Sequence, residues 1–319
     1  MPTLIIASYG GGLYRAQFDP KHLSLTLEEK IPTDYVPTYV RHDQGCFALS
    51  YKDGGGLALE GKKSRQPGIS YTHFALSPDG AYLAAADYHQ GATDLFKVGD
   101  TLQKTDRLLH TGSGPNSERQ TSPHIHFVGF TPDGEYVLAA DLGCDLIRAF
   151  SYQEGELVPY APLTTAIRPG AGPRHFTFSQ DGKFLYLVNE LDSTIDCFRY
   201  EKDGLAHFQT IATLKIPDSG SLAAAIRLSA SGRSLIATNR GQDGVAYFDR
   251  DLQSGRLTLK AIVPCLGHPR DAIIEGSLVF VAALADHQVQ LFVLDEADQT
   301  LSDSGITLQV PRPVSLAII

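Results

Sequence analysis

The sequence predicts an all-β fold, a seven-bladed β-propeller with four-stranded blades, chiefly because one hairpin turn recurs along the chain. Short apolar runs of β-type residues flank turns of the Asp-Gly kind, in which glycine accepts the positive φ angle of a tight hairpin. No window carries apolar residues at i, i+3, i+4 and i+7 over three turns, so a helical repeat is excluded. The turns lie at 77–80, 131–134, 179–182 and 229–232, with weaker copies at 42–45 and 274–276.

A second regular feature is an aromatic residue at a fixed distance from each predicted second strand. In five repeats a phenylalanine lies nine positions after the residue that ends this strand. The resulting period of roughly 46 residues, filled by short strands, is typical of propeller blades. The strand ends are Asp87, Asp141, Asn189, Asn239 and Ala283, and the aromatic residues are Phe96, Phe150, Phe198, Phe248 and Phe292.

The two ends of the chain together supply one blade. Residues 311–319 have the pattern of a first strand, 3–8 that of a second strand and 13–18 that of a third. We therefore predict one domain over 1–319, closed by a blade built from about 1–30 plus 311–319, because this pairing removes exposed strand edges. The first strands are expected to begin near Pro37, Tyr71, Pro123, Pro173, Leu222, Pro269 and Pro313.

Composition limits the possible functions. The 319 residues are 43% hydrophobic and 20% charged, as in ordinary globular proteins, and the net charge of −9 lacks the basic excess of a nucleic-acid binder. No apolar stretch approaches the roughly 20 residues of a membrane span, and no basic segment precedes the short apolar run at the N-terminus. We expect a cytoplasmic protein without nucleic-acid or membrane partners; the sequence gives no indication of oligomeric state.

Neither metal nor cofactor binding is predicted. The four cysteines are far apart and lie in or beside apolar runs, so we interpret them as reduced core thiols. His124 and His126 share one face of a strand, but no carboxylate stands at a ligand-like spacing, and the glycine-rich stretches precede no helix that could bind a phosphate. The cysteines are Cys46, Cys144, Cys197 and Cys265.

Four polar residues stand at equal distances from their turn glycines. His126 and Arg174 come eight positions before the glycine, and Glu190 and Arg240 come eight positions after it. Positions equidistant from a hairpin turn lie side by side, so all four are expected on one rim of the ring, beside the central channel. An imidazole, a carboxylate and two guanidinium groups there could form an acid–base site for an anionic substrate.

Structural roles compete with this interpretation. A single arginine at a blade edge is usually part of a surface ion pair, and a single histidine near a turn usually makes a structural hydrogen bond. His73 and His175 are one position closer to their turns, so they are expected to face the other side of the strand and to pack between blades. Asp87 and Asp141, at strand ends, are expected to cap turns.

Five segments resemble the lactonase family of seven-bladed propellers, which includes bacterial propeller-type 6-phosphogluconolactonases and the fungal 3-carboxy-cis,cis-muconate lactonising enzyme. The resemblance is strongest between about 70 and 250, and it implies a metal-independent site with His126, Arg174, Glu190 and Arg240 as catalytic residues. The segments are SPHIHF at 122–127, ADLGCD at 140–145, GAGPRH at 170–175, VNEL at 188–191 and TNRG at 238–241.

Three further residues are secondary candidates for substrate binding. His124 and His175 lie in the matching segments, and Arg270 stands in a Pro-Arg pair that family members often carry in the sixth blade. The turn of that blade is shorter here, which predicts that Arg270 is displaced.

The resemblance implies hydrolysis of a sugar lactone, 6-phospho-D-glucono-1,5-lactone, to the open acid. Arg174 and Arg240 would hold the phosphate or the developing oxyanion, and either Glu190 or His126 would act as the base toward water. Two alternatives remain open: lactonisation or isomerisation of an unsaturated dicarboxylate, and a non-catalytic binding propeller. The polar loop 111–121 could cap the channel mouth.

Overall fold

The computed structural model describes residues 2–43, 46–52, 55–59, 61–216 and 220–319, and they form seven antiparallel sheets. The strands, in chain order, are β1 (Thr3–Ser8), β2 (Leu13–Asp19), β3 (Ser24–Ile31), β4 (Pro37–Asp43), β5 (Cys46–Tyr51), β6 (Leu57–Leu59), β7 (Lys62–Ser64), β8 (Tyr71–Leu76), β9 (Tyr82–Asp87), β10 (Ala92–Val98), β11 (Leu102–Leu109), β12 (Ile125–Phe130), β13 (Tyr136–Asp141), β14 (Leu146–Ser151), β15 (Val158–Pro159), β16 (Thr165–Ala166), β17 (Pro173–Phe178), β18 (Phe184–Asn189), β19 (Thr194–Glu201), β20 (Gly204–Ala212), β21 (Leu222–Leu228), β22 (Ser234–Arg240), β23 (Gly244–Arg250), β24 (Leu257–Pro264), β25 (Pro269–Glu275), β26 (Leu278–Ala283), β27 (Gln288–Asp295), β28 (Thr300–Gln309) and β29 (Pro313–Ile318). Two short 3₁₀ helices span Gln153–Gly155 and Ala161–Leu163.

The sheets are the seven predicted blades. Blade 1 is β4 to β7, blade 2 is β8 to β11, blade 3 is β12 to β16, blade 4 is β17 to β20, blade 5 is β21 to β24 and blade 6 is β25 to β28. Blade 7 has the order β29-β1-β2-β3, with Leu4 opposite Ile318, so the predicted closure by both ends of the chain is confirmed.

The strand boundaries follow the turn and aromatic pattern closely. Six first strands begin where the sequence predicts, and the exception is β12, which begins at Ile125 rather than near Pro123. The chain enters β12 late because the backbone N–H of His124 donates to the side-chain carboxylate of Asp141 (2.9 Å) instead of to a backbone carbonyl of the neighbouring strand. Within the weak turn at 42–45, Gln44 and Gly45 lie outside the described residues.

The recurring phenylalanines explain why the repeat has a fixed length. Each one is buried against the blade that precedes its own: Phe248 of blade 5 packs with Tyr186 of blade 4, and Phe150 of blade 3 packs with Ala84 of blade 2. Second strands are covered on both faces by neighbouring blades, and β18 and β26 are buried at every position. A buried aromatic residue at the same place in five of the seven blades therefore fixes the distance between those blades and the ones before them.

The cysteines differ in how deeply their side chains are buried. Cys197 is buried and Cys265 packs at the edge of a core cluster, whereas Cys144 is half-buried in the loop after β13, so the core-thiol prediction is wrong for Cys144. The side chain of Cys46 is outside the described residues. In the part of the chain that the structure describes, no helix combines the length and the apolar character needed to cross a membrane.

Candidate active site

In six of the seven blades a β-bulge at the start of the first strand aims one side chain into the central channel. In five blades the pairing with the neighbouring strand skips one position after the first residues, as between Pro173 and His175, and β29 skips one residue in its pairing with β1. In blade 5 the pairing skips two positions, between Ala223 and Ile226. Such bulges redirect side chains and occur often beside active sites. In six blades the skipped residue lines a constriction of about 40 Å³ in the channel: Thr38, Thr72, His126, Arg174, Arg270 and Val314.

A cavity of about 210 Å³ opens from this constriction on the rim where the first strands begin, away from the Asp-Gly turns. We call this cavity the mouth. Its wall includes the ends of second strands as well as bulged residues, so it collects side chains from both types of position. The charged or titratable residues that line it include Tyr9, Lys52, Tyr88, Arg119, His126, Glu190, Arg240 and Arg270.

Glu190 is the centre of a buried ion cluster in the mouth. Its Oε2 atom accepts hydrogen bonds from Nε of Arg174 (2.8 Å) and contacts Nη2 of Arg240 (2.7 Å), and its Oε1 atom accepts one from Arg119. Glu190, Arg174 and Arg240 are only 2%, 5% and 7% exposed. The structure thus brings three of the four candidates into direct contact. Glu190, Arg240 and the fourth candidate, His126, line the mouth, whereas Arg174 lines the constriction below it.

Backbone carbonyl groups of blade 5 hold the two buried arginines in place. Arg174 donates from Nη1 to the carbonyl of Ala224 (2.6 Å), and Arg240 donates from Nη2 to the carbonyl of Ala223 (3.0 Å). These bonds and the shared carboxylate fix both guanidinium planes before any ligand arrives. A fixed set of charged donors is the arrangement that stabilises a developing negative charge most effectively.

The electrostatics of the cluster keep Glu190 ionised. Burial alone would raise its pKa, but the charges of Arg240 and Arg174 outweigh burial and hold the pKa of Glu190 well below its usual range. Burial, followed by repulsion from Arg240, lowers the pKa of Arg174 to about 9, which still leaves it charged at neutral pH. Glu190 is therefore a weak base with both oxygens occupied, suited to holding arginines.

His126 differs from Glu190 because its side chain is uncharged at neutral pH. Burial and then the charge of Arg174 lower its pKa well below the usual 6.5, although Glu190 opposes the shift. Its ring meets the ring of Tyr88 edge to face, with centroids 5.6 Å apart. The imidazole is neutral at pH 7, so it can accept a proton.

Arg119 is a site residue that the sequence analysis missed. It comes from the loop 111–121, and the loop is held by Gln120, which is fully buried and donates from Nε2 to the Leu142 carbonyl and to Asp145 Oδ1 (2.8 Å each). The side chain of Asn116 also accepts the backbone N–H of Arg119 (3.1 Å). The polar character of this loop predicted a cap; its buried anchor could not be recognised from the sequence.

Neither His124 nor His175 lines the mouth. His124 stacks on Tyr88 (centroids 4.5 Å apart) and its Nδ1 lies 2.9 Å from the Tyr88 carbonyl oxygen, so it supports the wall from behind. His175 stacks on Phe127 (4.1 Å) below the mouth, with Nε2 2.8 Å from Nη1 of Arg227. The geometry does not support the expectation that these two histidines contact a substrate in the mouth.

Arg270 does line the mouth, and the expectation that it is displaced is wrong. It occupies the bulge of blade 6, the same position that Arg174 has in blade 4. The bulge sets the direction of the side chain, so the shorter turn at the far end of the strand has no effect. Its Nη2 donates to the hydroxyl oxygen of Tyr9 (3.3 Å), a residue from the other end of the chain.

A metal site needs several ligating side chains close together. Among the residues that the structure describes, no three His, Cys, Asp or Glu side chains are grouped as a metal site would require. The carboxylates at strand ends serve the backbone and arginines instead: Asp141 accepts the N–H of Gly143 (3.1 Å) and pairs with Arg148 (2.8 Å). This agrees with the expected turn capping.

Comparison with known proteins gives a consistent result over the full length. Residues 3–318 match the family model described as Lactonase, 7-bladed beta-propeller. The 6-phosphogluconolactonase of Bacillus subtilis (strain 168) is 29% identical over 333 residues, covering 97% of this chain and 94% of that protein. The periplasmic gluconolactonase PpgL of Pseudomonas aeruginosa is 26% identical, with a TM-score of 0.91 and coverage of 100% and 99%. A Bacteroides fragilis structure, provisionally assigned as a 6-phosphogluconolactonase, is 31% identical, with a TM-score of 0.85 and coverage of 100% and 98%.

Proposed function

We propose, since the chain belongs to the lactonase family of seven-bladed β-propellers, that it hydrolyses 6-phospho-D-glucono-1,5-lactone to 6-phosphogluconate. The observation that carries this proposal is the charge of the mouth. Among the described residues that line the mouth, Glu190 is the one carboxylate. Four cationic side chains line the same cavity: Lys52, Arg119, Arg240 and Arg270. The whole chain carries a net charge of −9, so this local excess of positive charge favours a small anionic substrate.

The contrast between His126 and Glu190 supports a division of labour between them. The neutral imidazole of His126 takes a proton from water, and the resulting hydroxide attacks the lactone carbonyl carbon. Both oxygens of Glu190 are engaged by arginines, so it serves to position the guanidinium groups rather than to accept the proton.

The arginines stabilise the intermediate of the addition step. The carbonyl oxygen becomes an oxyanion when water adds, and Arg240 and Arg174 supply fixed charged donors for it. When the oxyanion re-forms the carbonyl, the bond to the ring oxygen breaks and the imidazolium of His126 returns its proton to that oxygen. One water is consumed, the ring opens to hydroxy acid, and no oxidant or reductant is needed.

The assay that tests this proposal offers the purified chain two substrates. We expect release of acid from 6-phosphogluconolactone, faster than its spontaneous hydrolysis, and no conversion of 3-carboxy-cis,cis-muconate. Turnover of the muconate instead would favour the lactonising reaction, and turnover of neither substrate would favour a binding propeller.

The proposed substrate also leads us to propose a cytoplasmic location and a role in the pentose phosphate pathway. A phosphate ester is charged and stays on the side of the membrane where it is made, since burying a charge in hydrocarbon is costly. The Pseudomonas relative named for periplasmic location is also named for gluconolactone without phosphate. Detection of the chain by antibody in fractionated cells tests the location.

A further inference from the structure

A second cationic group surrounds Tyr9 on the side of the mouth opposite Glu190. We call it the Tyr9 cluster; it consists of Tyr9, Lys52, Arg270 and Arg312. The Nζ of Lys52 lies 5.7 Å from the ring centroid of Tyr9, and the Cζ atoms of Arg270 and Arg312 lie 5.5 and 5.8 Å from it. Cations at such distances are attracted to the face of an aromatic ring, which keeps these three close together despite their mutual repulsion.

The Tyr9 cluster lacks the counter-charge that the other arginine group has. Glu190 pairs with Arg119, Arg174 and Arg240. By contrast, no described Asp or Glu pairs with Lys52, Arg270 or Arg312 within the range of a salt bridge. Uncompensated positive charge beside a cavity indicates a place for an anion.

The two groups face each other across the mouth. The Tyr9 cluster comes from blades 6, 7 and 1, which are adjacent in the closed ring, whereas His126, Arg174 and Arg240 come from blades 3, 4 and 5. Arg270 and Lys52 line the same cavity of about 210 Å³ as His126 and Glu190. A small molecule in that cavity can therefore touch both groups with its two ends.

We propose that Arg270, Lys52 and the hydroxyl of Tyr9 form the subsite for a phosphate monoester, while His126 and Arg240 meet the lactone carbonyl. This assignment rests on the proposed function and extends it to the substrate class. The Tyr9 oxygen accepts from Arg270, so its own O–H is available as a donor. A guanidinium, an ammonium and a hydroxyl together match the several acceptor oxygens and double charge of a phosphate.

The proposal is tested by the preference between two lactones. We define it as the ratio of kcat/KM for 6-phosphogluconolactone to kcat/KM for unphosphorylated glucono-1,5-lactone. Arg270→Gln is expected to lower this ratio about 10- to 100-fold, the loss of a charge-assisted hydrogen bond. Lys52→Gln, at an exposed position that tolerates substitution, is expected to lower it about 3- to 10-fold.

The matched control is Arg233→Gln, the same change at an exposed arginine on the rim that carries the Asp-Gly turns. It is expected to leave the ratio within about twofold of the wild-type value. If Arg270→Gln leaves the ratio unaltered, either because neither kcat/KM changes or because both fall equally, the subsite is wrong.

A binding measurement separates the subsite from the proposed function. Inorganic phosphate is titrated calorimetrically at low ionic strength into wild type, Arg270→Gln and Arg233→Gln. We expect binding that Arg270→Gln weakens at least tenfold and Arg233→Gln does not. If the chain hydrolyses neither lactone, this titration alone decides the subsite; if it hydrolyses lactones but prefers the unphosphorylated one, the lactonase proposal stands and the subsite is wrong.

Discussion

The two ends of the central channel differ in size and in chemistry, and the smaller end has the features of an active site. The far end, beside the Asp-Gly turns, holds a cavity of about 700 Å³, whereas the mouth holds about 210 Å³. Many residues that line the far end are apolar, such as Phe176 and Ile226. Its charged residues include both signs, and its Arg227 pairs with Asp271 (2.6 Å). Converging charged groups are therefore a better guide to the site than volume.

A stacked layer separates the two ends. The rings of His73 and His175 both stack on Phe127, with centroids 3.7 and 4.1 Å away. Burial, followed by the charges of Arg41 for His73 and Arg227 for His175, holds the pKa of both histidines well below the usual range. His73, Phe127 and His175, which directly follow bulged residues, thus narrow the channel. Bulged residues such as His126 and Arg270 line the mouth.

The largest expected loss of kcat comes from replacing the histidine in the mouth, compared with a histidine in the far cavity. His126→Ala removes the proposed base and should lower kcat for 6-phosphogluconolactone on the order of 10²- to 10⁴-fold. His42→Ala makes the same change at an exposed residue of the far cavity and should alter kcat by less than about threefold. Steady-state kinetics of both variants provide the measurement. Equal losses in the two variants would mean that the ends do not differ as described.

Glu190→Gln should affect both rate and stability. The change leaves three arginines without their shared carboxylate, so we expect kcat/KM to fall about 10²-fold and the free energy of unfolding to fall by about 3 kcal/mol. Asp271→Asn breaks the ion pair with Arg227 below the mouth and should cost stability with kcat/KM within about threefold. Denaturant unfolding and kinetics on each variant test the distinction; a fully active Glu190→Gln protein would refute the role of the cluster.

The pH profile should reveal the lowered pKa of His126. The base form is active, and burial and Arg174 move its pKa below 6.5, so kcat/KM should stay level as the pH falls from 8 to 6.5 and decline only at lower pH. The free energy of unfolding should also decline as the pH drops below 6.5, because His126 binds a proton more readily in the unfolded chain than in the folded protein. Rates measured between pH 5 and 8 test this expectation, and a midpoint at or above 6.5 would contradict it.

The smallest of these effects concerns the loop over the mouth. Arg119→Gln removes one charge-assisted contact to Glu190 from a partly exposed side chain, and about a tenfold loss in kcat/KM is expected. Gln120→Ala, which removes the buried anchor of the same loop, should produce a comparable loss together with faster amide exchange over 111–121. If Arg119→Gln retained full activity, the loop would not belong to the site.

Regular features of the sequence predicted most of the fold and part of the site. Turns and aromatic residues repeat because each blade packs against its neighbours in the same way. Strand order and blade number could therefore be inferred from the repeats, and the proximity of Arg174 to Glu190 could be inferred by counting from the turn. Arg270 could not be placed in this way because its direction depends on a bulge. Tyr9 meets Arg270 across 261 positions, a contact that exists only once the ring closes.

The most direct test of the account is a crystal structure of the chain with the product 6-phosphogluconate bound. We expect the product in the mouth, with its carboxylate at His126 and Arg240 and its phosphate at Arg270 and Lys52. Product bound in the far cavity of about 700 Å³, with the mouth unchanged, would contradict the assignment of the chemistry to this end of the channel.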